Sequence, residues 1–110
     1  MRLQTQDLLS DEARAALITL GERIKLARTL RRESQKQAAE RLKTTQVTLR
    51  RLENGDPSLS ISLYLAALDI YGFLDQVHVL ADPDTDQLGK SLDQQGQPKH
   101  VHPEHLDNDF

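Results

Sequence analysis

Four hydroxyl side chains constrain this chain more than any other feature. Ser10, Ser34, Thr45 and Ser60 each stand directly before a stretch whose apolar residues recur at three- and four-residue spacing. A hydroxyl in that place accepts a hydrogen bond from a first-turn amide that has no partner inside the helix, so each marks a helix start. The first helix reads from about 11 to 32, with Ala13, Leu17, Leu20, Ile24, Ala27 and Leu30 on one face and Gly21 as a point where it can bend or break. Ser34 with Gln37 three residues on forms a capping box, and Ala38, Ala39 and Leu42 supply the inner face of a short second helix. Thr45 opens a third, with Leu49 and Leu52 inward and Gln46, Val47, Arg50 and Arg51 outward. Asn54-Gly55-Asp56-Pro57 ends it; Asn-Gly also signals hairpins, but no alternating apolar runs flank it here. The fourth helix runs from Ser60 to Gly72, with Leu63, Ala66, Ala67, Ile70 and Tyr71 as its core stripe, and a last short one over 73–81 uses Phe73, Val77 and Leu80. The expected fold is all-α, a five-helix body over 10–81 behind an N-terminal arm of residues 1–9.

A chain of 110 residues is large enough for one modest core. Cysteine is absent, which excludes a disulfide framework and a thiolate nucleophile. No apolar stretch approaches the roughly 20 residues that cross a bilayer, and no signal-peptide pattern opens the sequence. From Asp82 the composition shifts: Pro83, Gly89, Gly96, Pro98 and Pro103 interrupt a polar, acidic segment, so residues 82–110 read as a flexible, largely disordered tail. Residues 20–55 carry ten basic against four acidic side chains, a net of +6, so the rest sums to −9 within the total of −3. A local basic field attracts phosphate over about a Debye length, ~8 Å at physiological salt, whatever a distant segment carries.

That basic stretch contains the two short helices joined tightly at Lys43-Thr44. The small Ala39 permits a close, steep crossing, so that the third helix projects and fits a major groove about 12 Å wide. Its outer side chains suit base edges: Gln46 for adenine, Arg50 or Arg51 for guanine, and Val47 against a thymine methyl. Gln35, at the start of the second helix, is placed to hold a phosphate together with that helix N-terminus.

Leu20-Gly21-Glu22-Arg23-Ile24, Ser34-Gln35 and the run Thr44-Thr45-Gln46-Val47-Thr48-Leu49-Arg50-Arg51-Leu52-Glu53-Asn54-Gly55 resemble the XRE family of phage-repressor-type helix-turn-helix proteins. The resemblance implies a lambda-repressor-like five-helix domain in which Gln35, Gln46, Val47 and Arg51 face DNA and Thr45 and Thr48 lie near phosphates. It also implies that Arg28 and Glu53 form an internal salt bridge, which withholds both from the DNA site. Two positions depart from the family: Lys43 stands where the turn usually has glycine, which asks it for a left-handed backbone at about 1 kcal/mol, and Arg32-Glu33 replace a Gly-apolar pair. Gly55-Asp56-Pro57 with Ser58-Leu59-Ser60, and Leu80-Ala81-Asp82-Pro83-Asp84, are similar to HipB-type antitoxins. The implied protein is a bacterial, cytoplasmic, nucleoid-associated repressor. It would bind double-stranded operator DNA at an inverted repeat as a homodimer, with recognition helices about 34 Å apart, and a HipA-type kinase toxin as second partner. A free-standing XRE-family or phage-type regulator is the alternative. A protein adaptor without DNA binding fits less well, having no need of Gln46, Arg50 and Arg51 on an outer face. The sequence leaves the dimer surface open between Phe73, Leu74, Val77 and Leu80 and the N-terminal Leu8 and Leu9.

Nothing in the sequence assembles into a catalytic site: there is no nucleophile elbow and no phosphate-cradling glycine loop, and no cofactor is expected. Asp82, Asp84, Asp86 and Asp93 imitate a calcium loop, but Gln87 occupies the position that needs glycine. His100, His102 and His105 with Asp107 and Asp109 have no spacing tied to one metal geometry. The segment ending in Phe110 is instead a candidate for docking into a partner by folding on binding.

Overall fold

The computed structural model describes residues 8–96. The chain divides into two compact units, Met1–Val77 and His78–Phe110. In the first, α1 (Asp11–Leu30), α2 (Gln35–Arg41), α3 (Gln46–Glu53), α4 (Ile61–Ile70) and α5 (Leu74–His78) follow in order, α5 ending at the boundary. The four hydroxyls act as read: Ser10 accepts from Ala13 N at 3.0 Å, Ser34 from Gln37 N at 3.1 Å, Thr45 from Thr48 N at 3.1 Å and Ser60 from Leu63 N at 3.3 Å. Gln37 Oε1 in turn accepts from Ser34 N at 2.8 Å and completes the capping box.

Each of the first four helices leaves by the same backbone device. A residue in the left-handed region follows the cap, and the next amide reaches back five residues: Glu33 N to Arg28 O, Thr44 N to Ala39 O, Asp56 N to Arg51 O and Phe73 N to Leu68 O. Glycine supplies that backbone at Gly55 and Gly72, but Arg32 (φ 56°) and Lys43 (φ 55°) adopt it without glycine's freedom. The two departures from the family pattern are thus accommodated by strain, and α1 stops at Leu30 rather than 32.

α1 runs unbroken through Gly21, whose role is close approach. A Cβ there would stand 2.7 Å from Leu52 O, Glu53 O and Gly55 N, so the backbones of α1 and the end of α3 touch with no side chain between. The main core unites Ile24, Ala27, Leu52, Tyr64, Ala67 and Tyr71, and a smaller cluster unites Ala38, Ala39 and Leu49, with Leu42 packed against both. Ala13 and Leu30, expected inside, are exposed. Helical spacing identifies a face but not how far along it a partner helix extends. Tyr64, which that reading passed over, is buried, and its hydroxyl donates to Asp56 O at 2.7 Å. α5 is shorter than the 73–81 read from the sequence. Phe73 packs on the core, while Leu8, Leu74 and Leu80 stay exposed.

In the second unit, the segment read as an irregular tail contains a 3-10 turn, Pro83–Thr85, and a helix, α6 (Gln87–Gly96). The acids missed in that reading are caps: Asp82 Oδ1 accepts from Asp84 N and Asp86 Oδ1 from Gly89 N, each at 2.9 Å. Leu88 and Leu92, four apart, share one exposed face of α6. His100, His102, His105, Asp107, Asp109 and Phe110 lie outside the described residues, as do residues 1–7 of the N-terminal arm.

Candidate nucleic-acid interface

α2 and α3 meet through two alanines and a leucine: Ala38, Ala39 and Leu49 are at most 3% exposed. Small side chains at the crossing let the helices approach closely, and the inner face of α3 is spent entirely on Leu49, Leu52 and Glu53. What remains turns outward. Gln46 and Arg50, then Val47 and Arg51, form two i, i+4 pairs on exposed positions, with Val47 62% exposed although apolar. Arg50 makes no side-chain hydrogen bond among the described residues. The arrangement is a short, rigidly backed helix presenting an amide, a branched apolar group and guanidinium groups.

The other residues marked from the sequence hold that helix as well as border it. Thr45 Oγ1 accepts from Thr48 N and donates to Thr48 Oγ1 at 3.1 Å, fixing the first turn of α3 beside the exposed Gln46. Gln35 is half-buried and donates through Nε2 to Glu53 Oε1 at 3.2 Å, which ties the first turn of α2 to the last turn of α3 and leaves its amide oxygen unused. Arg28 and Glu53 are the buried ion pair at 2.6 Å; the hydrogen bond to Glu53 holds the Arg28 guanidinium above its ordinary pKa.

Arg51 differs from Arg50. Its Nε donates to Asp56 Oδ2 at 2.7 Å and its Nη2 to Ser58 Oγ at 2.7 Å, while Ser58 donates through both N (2.8 Å) and Oγ (2.7 Å) to Asp56 Oδ1. The two Ser58 hydrogen bonds and then Arg51 hold the Asp56 carboxyl down at about 2. Sequence reasoning read Asp56-Pro57 as a helix stop and as part of the HipB-type resemblance; the signal it passed over is the Asx-turn pattern of Asp56 with Ser58 two residues on.

A second polar cluster, also missed, backs the α1–α2 turn. Tyr71 donates to Glu33 Oε1 at 2.5 Å, Arg41 pairs with Glu33 Oε2 at 2.6 Å, and the Arg31 guanidinium lies over the Tyr71 ring at 5.3 Å. Burial pushes the Glu33 carboxyl up, but its bonds from Tyr71 and Arg41 outweigh this and leave it below the usual range. Arg28, Arg31 and Arg41 are therefore committed to internal partners, and the basic stretch contributes fewer outward cations than its count suggests. No helix among the described residues is long and apolar enough to cross a membrane. A family model described as a helix-turn-helix domain matches residues 19–81, more than half of the chain. No curated protein and no solved structure matches it.

Proposed function

The chain belongs to the helix-turn-helix domain family, and on that premise we propose that it is a sequence-specific repressor that reads operator DNA as a homodimer through the outer face of α3. The observation that carries the reading is the division of α3 into a fully buried face, Leu49 and Leu52, and an exposed face, Gln46, Val47, Arg50 and Arg51. That face offers donors and acceptors matched to adenine and guanine edges and an apolar contact for thymine. Thr45, Thr48 and the free oxygen of Gln35 flank it, where the helix ends approach phosphates.

Within this reading the chain acts as the antitoxin of a HipBA-like toxin-antitoxin system, holding a HipA-type kinase toxin. The support is the resemblance carried by residues 55–60 and 80–84. A free-standing regulator would use the same DNA face, and a kinase reading frame beside the gene whose product co-purifies with this chain separates the two. Selection from a random duplex pool tests the repressor reading. An enriched inverted repeat with half-sites about 10 base pairs apart, centre to centre, is expected; a pool with no enriched repeat overturns it.

A further inference from the structure

We propose that Asp56 and Ser58, which do not lie on α3, set the base selectivity of the protein by holding the Arg51 guanidinium in one orientation before DNA arrives. The inference rests on the DNA-reading role of α3 and adds to it a pair of positioning residues in the α3–α4 turn.

The geometry is specific. Of five guanidinium N–H groups, Asp56 takes the one on Nε and Ser58 takes one on Nη2, each at 2.7 Å. The three left over are one on Nη2 and two on Nη1, and one from each of these nitrogens makes the end-on pair that can engage guanine O6 and N7 together. Ser58 is itself pinned, because its N–H and its hydroxyl both donate to the other carboxylate oxygen. The turn cannot easily swing away either, since the Tyr64 hydroxyl anchors Asp56 O at 2.7 Å from the buried core. An arginine on an exposed helix face ordinarily samples many rotamers, and ordering it opposes binding. Here two hydrogen bonds already hold the guanidinium in the free protein while the side chain remains 46% exposed.

The charge has an opposite consequence. Asp56 places a carboxylate next to the face that meets phosphates, and it offsets the attraction Arg51 would exert on any duplex. The pair thus trades general affinity for discrimination. A residue that merely stabilised the turn would move both quantities together.

The test compares the full-length chain and its D56N, S58A and R51K variants, by fluorescence anisotropy, on the duplex returned by selection, on its single-base variants and on random duplex. The wild type is expected to prefer one base at one half-site position by roughly five- to 150-fold. In D56N that preference falls below about threefold, while binding to random duplex strengthens by roughly two- to fivefold, because one negative charge has left the face. R51K keeps the charge but not the planar fork, and loses the same preference at the same position. S58A loses part of it. A selective wild type whose D56N and R51K variants keep the full preference overturns the proposal alone. So does a D56N variant that weakens equally on every duplex, the sign of a structural role. A wild type with no preference among duplexes overturns the underlying reading of α3, and the proposal with it.

Discussion

Arg28 on α1 and Glu53 on α3 face each other through two hydrogen bonds, Nε to Oε2 at 2.6 Å and Nη2 to Oε1 at 3.2 Å, with side chains 8% and 2% exposed. Their remaining valences are also used: Arg28 Nη1 donates to Glu33 O at 2.8 Å, and Glu53 Oε1 accepts from Gln35. One ion pair therefore ties α1, the α1–α2 turn, α2 and α3. Desolvating two charges is costly, and the pair is tolerated because all three guanidinium nitrogens and both carboxylate oxygens have a hydrogen-bond partner. Glu53→Ala leaves a buried guanidinium unpaired and is expected to cost about 3–5 kcal/mol. The double variant Arg28→Met with Glu53→Leu is expected to lose much less than the two single changes combined. Urea denaturation of Glu53→Ala, of Arg28→Met and Glu53→Leu singly, and of the double variant checks this; an additive double variant contradicts it.

Gly21→Ala should destabilise the domain although alanine favours helix. The propensity gain is about 1 kcal/mol, but the new methyl meets three backbone atoms of the α3 exit at 2.7 Å, which have no rotamer by which to yield. A net loss of about 2 kcal/mol or more is expected in thermal melts. A raised melting temperature would show that α1 and α3 can separate without penalty.

Lys43→Gly and Arg32→Gly should have the opposite sign. Both positions hold φ near 55° with a side chain present, and glycine relieves about 1 kcal/mol of left-handed strain at each, less its own entropy in the unfolded chain. A gain of roughly 0.5 kcal/mol or more apiece is expected by chemical denaturation. Lower stability in both would contradict the strain.

The pH dependence follows from Asp56. Its carboxyl is held at about 2 by Ser58 and Arg51, below the ~3.9 of an unfolded chain. The lowered value means that the charged form favours the folded state. This contribution is present above about pH 4 and is lost as the pH falls toward 2. The side chain is 25% exposed at the surface, so screening limits the effect to less than about 1 kcal/mol. Glu33, also held low, contributes with the same sign. Melting temperature should therefore fall between pH 4 and pH 2, and less steeply in D56N than in the wild type; parallel profiles would contradict the assignment.

The helix starts were legible because capping is local: a hydroxyl and an amide three residues on suffice, and Ser10, Ser34, Thr45 and Ser60 carry both. The outer face of α3 was legible for a similar reason, since Leu49 and Leu52 leave only one side for Gln46, Val47, Arg50 and Arg51. What escaped is set by contacts across the fold. The Tyr71–Glu33 bond spans 38 positions, and nothing near either residue announces it. Gly21 looked like a weak point because its neighbours across the gap, Leu52, Glu53 and Gly55, are more than thirty positions away. α6 escaped because Gly89 and Gly96 argue against a helix, while its Asp86 cap is an acid in a run of acids.

The most direct test of the account is the binding of the full-length chain and a Q46A/R50A variant to the selected duplex and to random duplex at 50 and 200 mM salt. Each lost base contact removes about 1–3 kcal/mol, so the variant should lose at least about tenfold on the selected duplex and much less on random duplex. Wild-type binding should weaken steeply with salt, and both proteins should melt alike, because neither side chain supports the core. A variant that keeps full selective affinity, or a wild type that binds both duplexes equally at either salt, would contradict the claim that α3 reads DNA.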